Sequence, residues 1–283
     1  MTDSSPPIDR RTALQALGSL TLAGIAGCTS NQSPGPSSSP TTTTAGPFAN
    51  ISVQGTTLVV DLASDTDAEH VNLVKPNGSL FGTRDVAQGA SRVSFDVGTT
   101  YTPGEYELVA VNGDQTVGTT TRTLRSDLQI IEMGIGRNQP EKMWNGTDGS
   151  PHSQAFVTIE NQGSGPTAVT QFLFFGKVPY SSGENGTQYA GTDVSGIYDP
   201  ESNSEIERVV VPPGGSKTIY SSRMPFAFIR GGNVVCTDYQ QSGTFKLSLE
   251  TSTTGPSLSK TYDVQYSASE EFNNCSITIK EDG

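Results

Sequence analysis

The stretch Tyr101-Thr-Pro-Gly-Glu-Tyr-Glu-Leu-Val-Ala-Val111 places a Pro-Gly turn directly before a run of apolar and aromatic residues. Runs of this kind, bounded by turn residues, predict β-strands. Just upstream, Arg92-Val-Ser-Phe-Asp-Val97 alternates strictly, so that Val93, Phe95 and Val97 share one face. Further runs predict strands at 58–62, 71–75, 79–81 and 116–124, with a hairpin turn at Pro76-Asn-Gly78. Because helical periodicity is missing, residues 48–126 are predicted to form an antiparallel β-sandwich.

The segment Tyr101-Thr-Pro-Gly-Glu-Tyr106, lying ahead of Leu108 and Ala110, resembles the tyrosine corner of immunoglobulin-like and fibronectin-III-like domains. That resemblance implies that the tyrosine is structural and that its hydroxyl bonds back to the nearby backbone. It implies nothing about a ligand.

The remainder of the chain, 127–283, repeats the pattern at larger size. Strands are predicted at 128–135, 154–161, 169–178, 206–211, 216–221, 244–250, 259–264 and 276–280. The fold class is therefore all-β, with two tandem antiparallel β-sandwich domains of immunoglobulin-like type. Phe172-Leu-Phe-Phe175 is apolar on both faces of one strand, which indicates either burial on both sides or a subunit interface.

Two segments of this second part resemble the CARDB-type, cell-adhesion-related domain of prokaryotic surface proteins. They are Val157-Thr-Ile-Glu-Asn-Gln-Gly163, a strand ending in Asn-x-Gly, and Val209-Val-Val-Pro-Pro-Gly-Gly-Ser-Lys-Thr-Ile219, a Pro-Gly-Gly turn between two strands. The resemblance covers roughly 130–266 and implies an adhesive role. A Gly/Ser/Asp-rich insertion at 179–205 departs from the family pattern.

The N-terminal residues predict the cellular location of the protein. Arg10-Arg11 precedes a short apolar run that ends in Ile25-Ala-Gly-Cys28. This is typical of a signal peptide, 1–27, using twin-arginine export, followed by a lipid-attachment cysteine, Cys28. The alternative is an ordinary secretory signal that contains a cysteine. Residues 28–47 lack large apolar side chains and predict a disordered Ser/Thr/Pro stalk. The protein is then expected on the extracellular face of the membrane, held by its lipid.

The net charge of the chain limits the classes of partner that are expected. The chain carries 17 basic and 29 acidic residues, a formal net charge of −12. Such a surface repels phosphate backbones, so nucleic acid is not expected as a partner. The acidity indicates either an acidic ligand surface or solvation in high salt. Together with the N-terminal features, it resembles the composition of lipoproteins of halophilic archaea.

Three cysteines occur, and lipidation of Cys28 would leave Cys236 and Cys275 as a pair. An even remainder in an exported protein predicts a disulfide, with two buried free thiols as the alternative. Only two histidines are present and none follows either cysteine closely, so neither zinc nor blue copper is expected. No metal or cofactor is predicted.

Candidate contact residues lie in two polar segments, 137–153 and 179–205. They are Trp144, which is the only tryptophan, and Tyr189 and Tyr198. Aromatic side chains among polar neighbours can stack on sugars or anchor a protein. The alternative places Trp144 as a loop residue folded over the end of the sandwich. Candidate glycosylation sequons begin at Asn50, Asn77, Asn145 and Asn185, with further sequons at Asn31 and Asn274.

Catalytic patterns are weak. The alternating carboxylates of Asp65-Thr-Asp-Ala-Glu-His70 lack the glycine and glutamate of an EF-hand. Carboxylates in and beside the insertion indicate either a cation site or simple solvation: Asp193, Asp199, Glu201, Glu205 and Glu207.

No catalytic residue is predicted, and the expected function is non-enzymatic binding or adhesion to a surface protein or glycan. The alternatives are an accessory subunit of a membrane transport or respiratory complex and, third, a hydrolase of wall polymers.

Overall fold

The computed structural model describes residues 46–144, 151–184, 186–253 and 257–281, and nearly all of its regular structure is β-strand. Helical structure among these residues amounts to two short 3-10 turns, Pro140–Lys142 and Pro151–Ser153. In this part of the chain no helix has the length and apolar composition that spanning a membrane requires.

The first sandwich contains seven strands in two antiparallel sheets. Strands β1, β2 and β5 form one sheet and β4, β3, β6 and β7 the other, in those orders. Their bounds are β1 Phe48–Gln54, β2 Thr57–Leu62, β3 His70–Val74, β4 Leu80–Asp85, β5 Arg92–Asp96, β6 Gly104–Asn112 and β7 Gln115–Leu124. This confirms the predicted antiparallel β-sandwich.

The core of this sandwich follows the alternation in the sequence. Val93, Phe95 and Val97 are buried together with the inward residues of the facing sheet. Tyr106 is fully buried, and its hydroxyl donates a hydrogen bond to the Thr102 carbonyl at 3.0 Å. That bond is the predicted tyrosine corner.

Upstream, the predicted stalk extends one residue too far, because Pro47 is buried and its carbonyl accepts the Ala63 amide at 2.9 Å.

Within its described residues, the second sandwich contains ten strands in two five-stranded antiparallel sheets. One has the order β13-β10-β15-β16-β17 and the other β12-β11-β14-β9-β8. Their bounds are β8 Leu128–Ile135, β9 Ala155–Asn161, β10 Thr167–Gly176, β11 Ile197–Asp199, β12 Ser204–Glu205, β13 Val209–Val211, β14 Ser216–Ser221, β15 Gln241–Thr251, β16 Leu258–Tyr266 and β17 Ile277–Glu281.

Strand β10 is buried on both of its faces. Phe172 and Phe174 point into the main core, while Leu173, on the opposite face, is only 3% exposed. Core burial is therefore the correct one of the two alternatives for this apolar run. Phe175, at the end of the strand, is partly exposed and lies under the Lys246 ammonium at 5.3 Å.

The insertion protects the edge of β10. Strand β13 pairs with β10 only at residues 167–169, which leaves the backbone of the following residues without a strand partner on that side. The Ser182 hydroxyl accepts the Phe174 amide at 2.8 Å, and the Ser195 carbonyl accepts the Phe172 amide at 2.8 Å. Buried backbone groups need such partners. The insertion is thus part of the folded sandwich.

The disulfide joins Cys236 to Cys275, whose Cα atoms are 5.5 Å apart. It ties the strandless segment between β14 and β15 to the residues that lead into β17. Phe226, Phe228 and Val234 of that segment are buried in the core. The predicted pairing is confirmed, and closing a loop of this length contributes on the order of 4 kcal/mol in the chain-entropy model.

A buried carboxamide fastens the linker between the two sandwiches to the second sandwich. Asn161, at the end of β9, is fully buried. Its Oδ1 accepts the amides of Asp127 and Gly163, each at 3.0 Å, and its Nδ2 donates to the carbonyls of Gly165 at 2.9 Å and Val211 at 3.1 Å. Because Asp127 lies in the short linker between β7 and β8, one side chain holds the linker, the loop after β9 and strand β13 together.

Other contacts reinforce this junction. The Ser252 hydroxyl donates to the Thr99 carbonyl of the first sandwich at 2.8 Å. Gly165 lies so close to Tyr101 that an added Cβ would stand 2.1 Å from its hydroxyl oxygen, so only glycine fits there. Consistent with these bonds, Thr43–Gly283 forms one compact unit.

Replacing Asn161 with Ala should lower the free energy of unfolding by about 3 kcal/mol, because it removes four hydrogen bonds and leaves buried amides without acceptors. Denaturant unfolding followed by the fluorescence of Trp144, in the second sandwich, measures this. The matched control is Gln162→Ala at the exposed neighbouring position. Equal unfolding midpoints for the two variants would show that the carboxamide is dispensable.

Candidate functional site

Three aromatic rings meet on the outer face of the β12-β11-β14-β9-β8 sheet. Trp144 stacks on Tyr198 with ring centroids 4.4 Å apart and an interplanar angle of 36°. It also meets Tyr220 edge-on, at 5.0 Å and 72°. All three side chains are half-buried. We call Trp144, Tyr198 and Tyr220 the aromatic cluster.

The strand register brings the two tyrosines together. Tyr198 on β11 pairs directly with Tyr220 on β14. Their neighbours Ile197 and Ile219 are buried in the core, so the alternation of a strand turns both tyrosines outward. Directly paired side chains on one face lie close enough to interact.

Trp144 reaches this face because the preceding segment folds over it. The 3-10 turn Pro140–Lys142 is fastened by the Tyr220 hydroxyl, which donates to the Lys142 carbonyl at 3.2 Å. Beneath the turn, Phe156 is only 1% exposed although it faces outward from β9, and the Lys142 ammonium lies 5.9 Å from its ring centroid. Partial burial also raises the pKa of Tyr220. Trp144 therefore lies on the flat side of the sheet, not over the sandwich end.

Polar side chains border the cluster. The Tyr198 hydroxyl donates to the carboxamide oxygen of Asn203, a residue in the left-handed region at φ +51°. Glu205 accepts a hydrogen bond from the Ser222 hydroxyl and lies 3.4 Å from the Arg223 guanidinium. Rings with hydrogen-bonding groups at their margin suit ligands that are apolar on one side and polar at the edge.

Tyr189 does not belong to this surface. It is only 4% exposed, and its hydroxyl donates to the Phe172 carbonyl on β10. Burial raises the pKa of Tyr189 to about 12. Its prediction as a ligand contact is wrong because the side chain closes the insertion onto the sandwich. Tyr220, which was missed, lies in a strand whose alternation marks it as outward-facing.

The carboxylates of the insertion organise a turn. Asp199 accepts the Ser202 hydroxyl at 2.7 Å and the amides of Ser202 and Glu201 at 3.1 and 3.2 Å. The Ser202 hydrogen bond is the main reason that the pKa of Asp199 is lowered. Within the described ranges, no group of three or more His, Cys, Asp or Glu residues is placed to hold a metal ion.

A concavity of about 340 Å³ lies between β8 and the β16–β17 edge. Its lining includes two carboxylates, Glu132 and Glu281, and a pair of carboxylates serves as acid and base or nucleophile in glycoside hydrolases. However, the hydrogen bond from Lys142 lowers the pKa of Glu132, whereas a general acid needs a raised one. Glu281 is likewise paired, at 2.8 Å, with Lys260. This cleft does not favour hydrolysis.

Several predicted sites lie outside the described residues. These are the export arginines Arg10 and Arg11, the lipidation cysteine Cys28, and the sequons at Asn145 and Asn185. Asn50 and Asn77 are described, and both are exposed.

No protein-family model matches the chain, and no curated protein matches it. Among solved structures, a two-domain fibronectin type-III segment from chicken tenascin is 12% identical, over 82% of this chain and 97% of that one, with a TM-score of 0.24. The human OSCAR ligand-binding domain is 11% identical, over 81% and 92%, with a TM-score of 0.20.

A β-glucuronidase from glycoside hydrolase family 2 is 16% identical over 82% of this chain, with a TM-score of 0.23. This chain spans only about a fifth of that enzyme, 20% of its length. Likenesses at these levels carry no inference about activity.

Replacing Tyr198 with Ala should shift the emission of Trp144 to longer wavelength and increase its quenching by acrylamide, because the indole loses its stacking partner. The lost ring contact should also cost about 1 kcal/mol of stability. Trp144 is the only tryptophan, so the signal comes from the cluster alone. Tyr239→Ala, at a tyrosine that is 63% exposed, is the control. Identical spectra for the two variants would contradict the stacked geometry.

Proposed function

We propose that the protein is a lipid-anchored, non-enzymatic binding module at the outer face of the cell membrane, and that the aromatic cluster contacts its ligand. The observation that carries the proposal is the contact of the half-buried Trp144 ring with Tyr198 and Tyr220 on the outer face of the sheet, bordered by polar groups. The location rests on the signal-like residues 1–27 and on Cys28.

A cell-surface glycan suits this site better than a protein does. Sugar rings have an apolar face that can lie on an aromatic ring, while their hydroxyl groups bond to polar neighbours. Asn203, which accepts the Tyr198 hydroxyl, and Glu205, which pairs directly with Tyr198 between β11 and β12, supply acceptors beside the rings. Stable protein interfaces usually bury about 800 Å² on each partner, far more than three half-buried rings provide.

The surrounding fold supports a fixed site. Tyr198 and Tyr220 are directly paired on neighbouring strands, and the 3-10 turn that precedes Trp144 is hydrogen-bonded to Tyr220. A binding surface whose side chains are already held in place loses less conformational entropy when its ligand binds.

The proposal is tested by titrating the protein with glycans released from the envelope of the cells that produce it, while the fluorescence of Trp144 is recorded. Binding should change the emission saturably. Tyr198→Ala should weaken the affinity about tenfold, equivalent to about 1.4 kcal/mol, and Tyr239→Ala should leave it unchanged.

Three outcomes would count against this function. Equal affinity of both tyrosine variants would move the site elsewhere. Binding that is lost when the envelope extract is treated with protease, but not with periodate, would indicate a protein ligand. Stable co-purification with a membrane complex, without glycan binding, would favour the accessory-subunit role.

A further inference from the structure

One predicted sequon stands at the exposed tip of a hairpin. Residues 76–79, between β3 and β4, are all exposed. The Lys75 amide bonds to the Ser79 carbonyl at 2.8 Å, and the Gly78 amide bonds to the Lys75 carbonyl at 2.9 Å. Gly78 adopts φ +79°, a conformation that favours glycine and makes the turn tight. The whole Asn77-Gly-Ser79 sequon thus projects from the sandwich.

The side chains of this sequon are oriented by the turn. Asn77 Oδ1 accepts the Ser79 amide at 3.1 Å and the Ser79 hydroxyl at 2.8 Å. Both bonds use the oxygen of the carboxamide. The nitrogen, Nδ2, forms no hydrogen bond with the residues that the structure describes, so it remains open to a reactant from solution.

The other two described sequons are held differently. Asn50 lies within β1, its Nδ2 donates to Asp61 Oδ2 at 3.2 Å, and its sequon is paired with 59–61 of β2. The sequon at Asn274 contains Cys275, which is fully buried and joined to Cys236. The Cys275 carbonyl also accepts a hydrogen bond of 2.7 Å from the Arg137 guanidinium. Neither segment can enter an enzyme's active site without unpairing a strand or displacing the disulfide.

We propose that Asn77 carries an N-linked glycan, and that the folded structure selects it over Asn50 and Asn274. The inference rests on the exported location proposed above. The twin-arginine route carries proteins that are already folded, so a transferase outside the membrane would meet the sequons in their folded conformations. Under that condition, the sequon that reacts is the one whose whole segment is exposed, free of strand pairing and of the disulfide, and whose Nδ2 is unbonded.

The donor is a polyprenyl-phosphate-linked oligosaccharide. Asn77 Nδ2 forms a bond to the anomeric carbon of the first sugar, while the bond from that carbon to the phosphate oxygen breaks. The departing polyprenyl phosphate keeps the electron pair of the broken bond, and Nδ2 loses one proton to a base of the transferase. No oxidant or reductant takes part.

The test is to express the full chain, with its own leader, in a halophilic archaeal host that performs N-glycosylation, and to purify it from the membrane fraction. Cleavage before aspartate yields peptide 67–84, which contains Asn77 as its only sequon, and peptide 263–281, which contains Asn274. Mass spectrometry should find the oligosaccharide on the first peptide and not on the second. Asn77→Gln and Ser79→Ala should each abolish it, whereas Asn50→Gln should leave it unchanged.

The outcomes separate this proposal from the proposed function. Membrane-anchored protein with an unmodified peptide 67–84 would overturn the glycosylation of Asn77 and leave the binding function standing. Modification of Asn50 or Asn274 at a similar level would overturn selection by the folded structure. Protein retained inside the cell with its leader intact would overturn the exported location, and with it the modification.

Discussion

The attachment of the linker between the sandwiches to the second sandwich depends on the side chain of Asn161. A buried carboxamide has two donors and two acceptor positions to satisfy, and leaving them unpaired costs about 1–3 kcal/mol for each group. Asn161 satisfies all four with backbone groups from the linker, from its own loop and from β13. Because its partners are backbone atoms, they stay available only while all these segments keep their positions. The linker is therefore fixed as part of the second sandwich.

The same residue anchors the two segments that carry the CARDB-type resemblance. The Asn161 amide bonds to the Gly215 carbonyl at 2.9 Å, and the Gly214 amide bonds to the Asn161 carbonyl at 2.8 Å. The strand ending in Asn-x-Gly and the Pro-Gly-Gly turn are thus two sides of one contact. Strands β9 and β14 leave this contact side by side, and β14 carries Tyr220 of the aromatic cluster at its far end. Strand β14, which carries part of the surface that we propose for ligand binding, is thus held at its other end by the contacts of Asn161.

The fold was predictable where burial follows local alternation. Val93, Phe95 and Val97 occupy the face that the sequence indicates, and Tyr106 forms the expected corner.

Strands β11 and β12 were not predicted, because the Gly/Ser/Asp-rich insertion forms strands only by pairing with an existing sheet edge. For the same reason Tyr189 was misplaced. The polar neighbours of Tyr189 predict an exposed side chain. Its burial follows from the packing of the insertion against the unpaired edge of β10, which the local sequence does not show. Trp144 and Tyr198 were predicted as candidate contact residues, but the contact of Trp144 with both Tyr198 and Tyr220 depends on the register of β11 on β14, which the sequence does not show.

The most direct test of the proposed role is hydroxyl-radical footprinting of the protein with and without glycans from its own cell envelope. Oxidation of Trp144, Tyr198 and Tyr220 reports on the solvent exposure of each ring in the cluster. Our account predicts that ligand protects all three and leaves the exposed Tyr239 unchanged. Protection of Tyr239 alone, or unchanged oxidation of the cluster under conditions in which the glycan is bound, would contradict it.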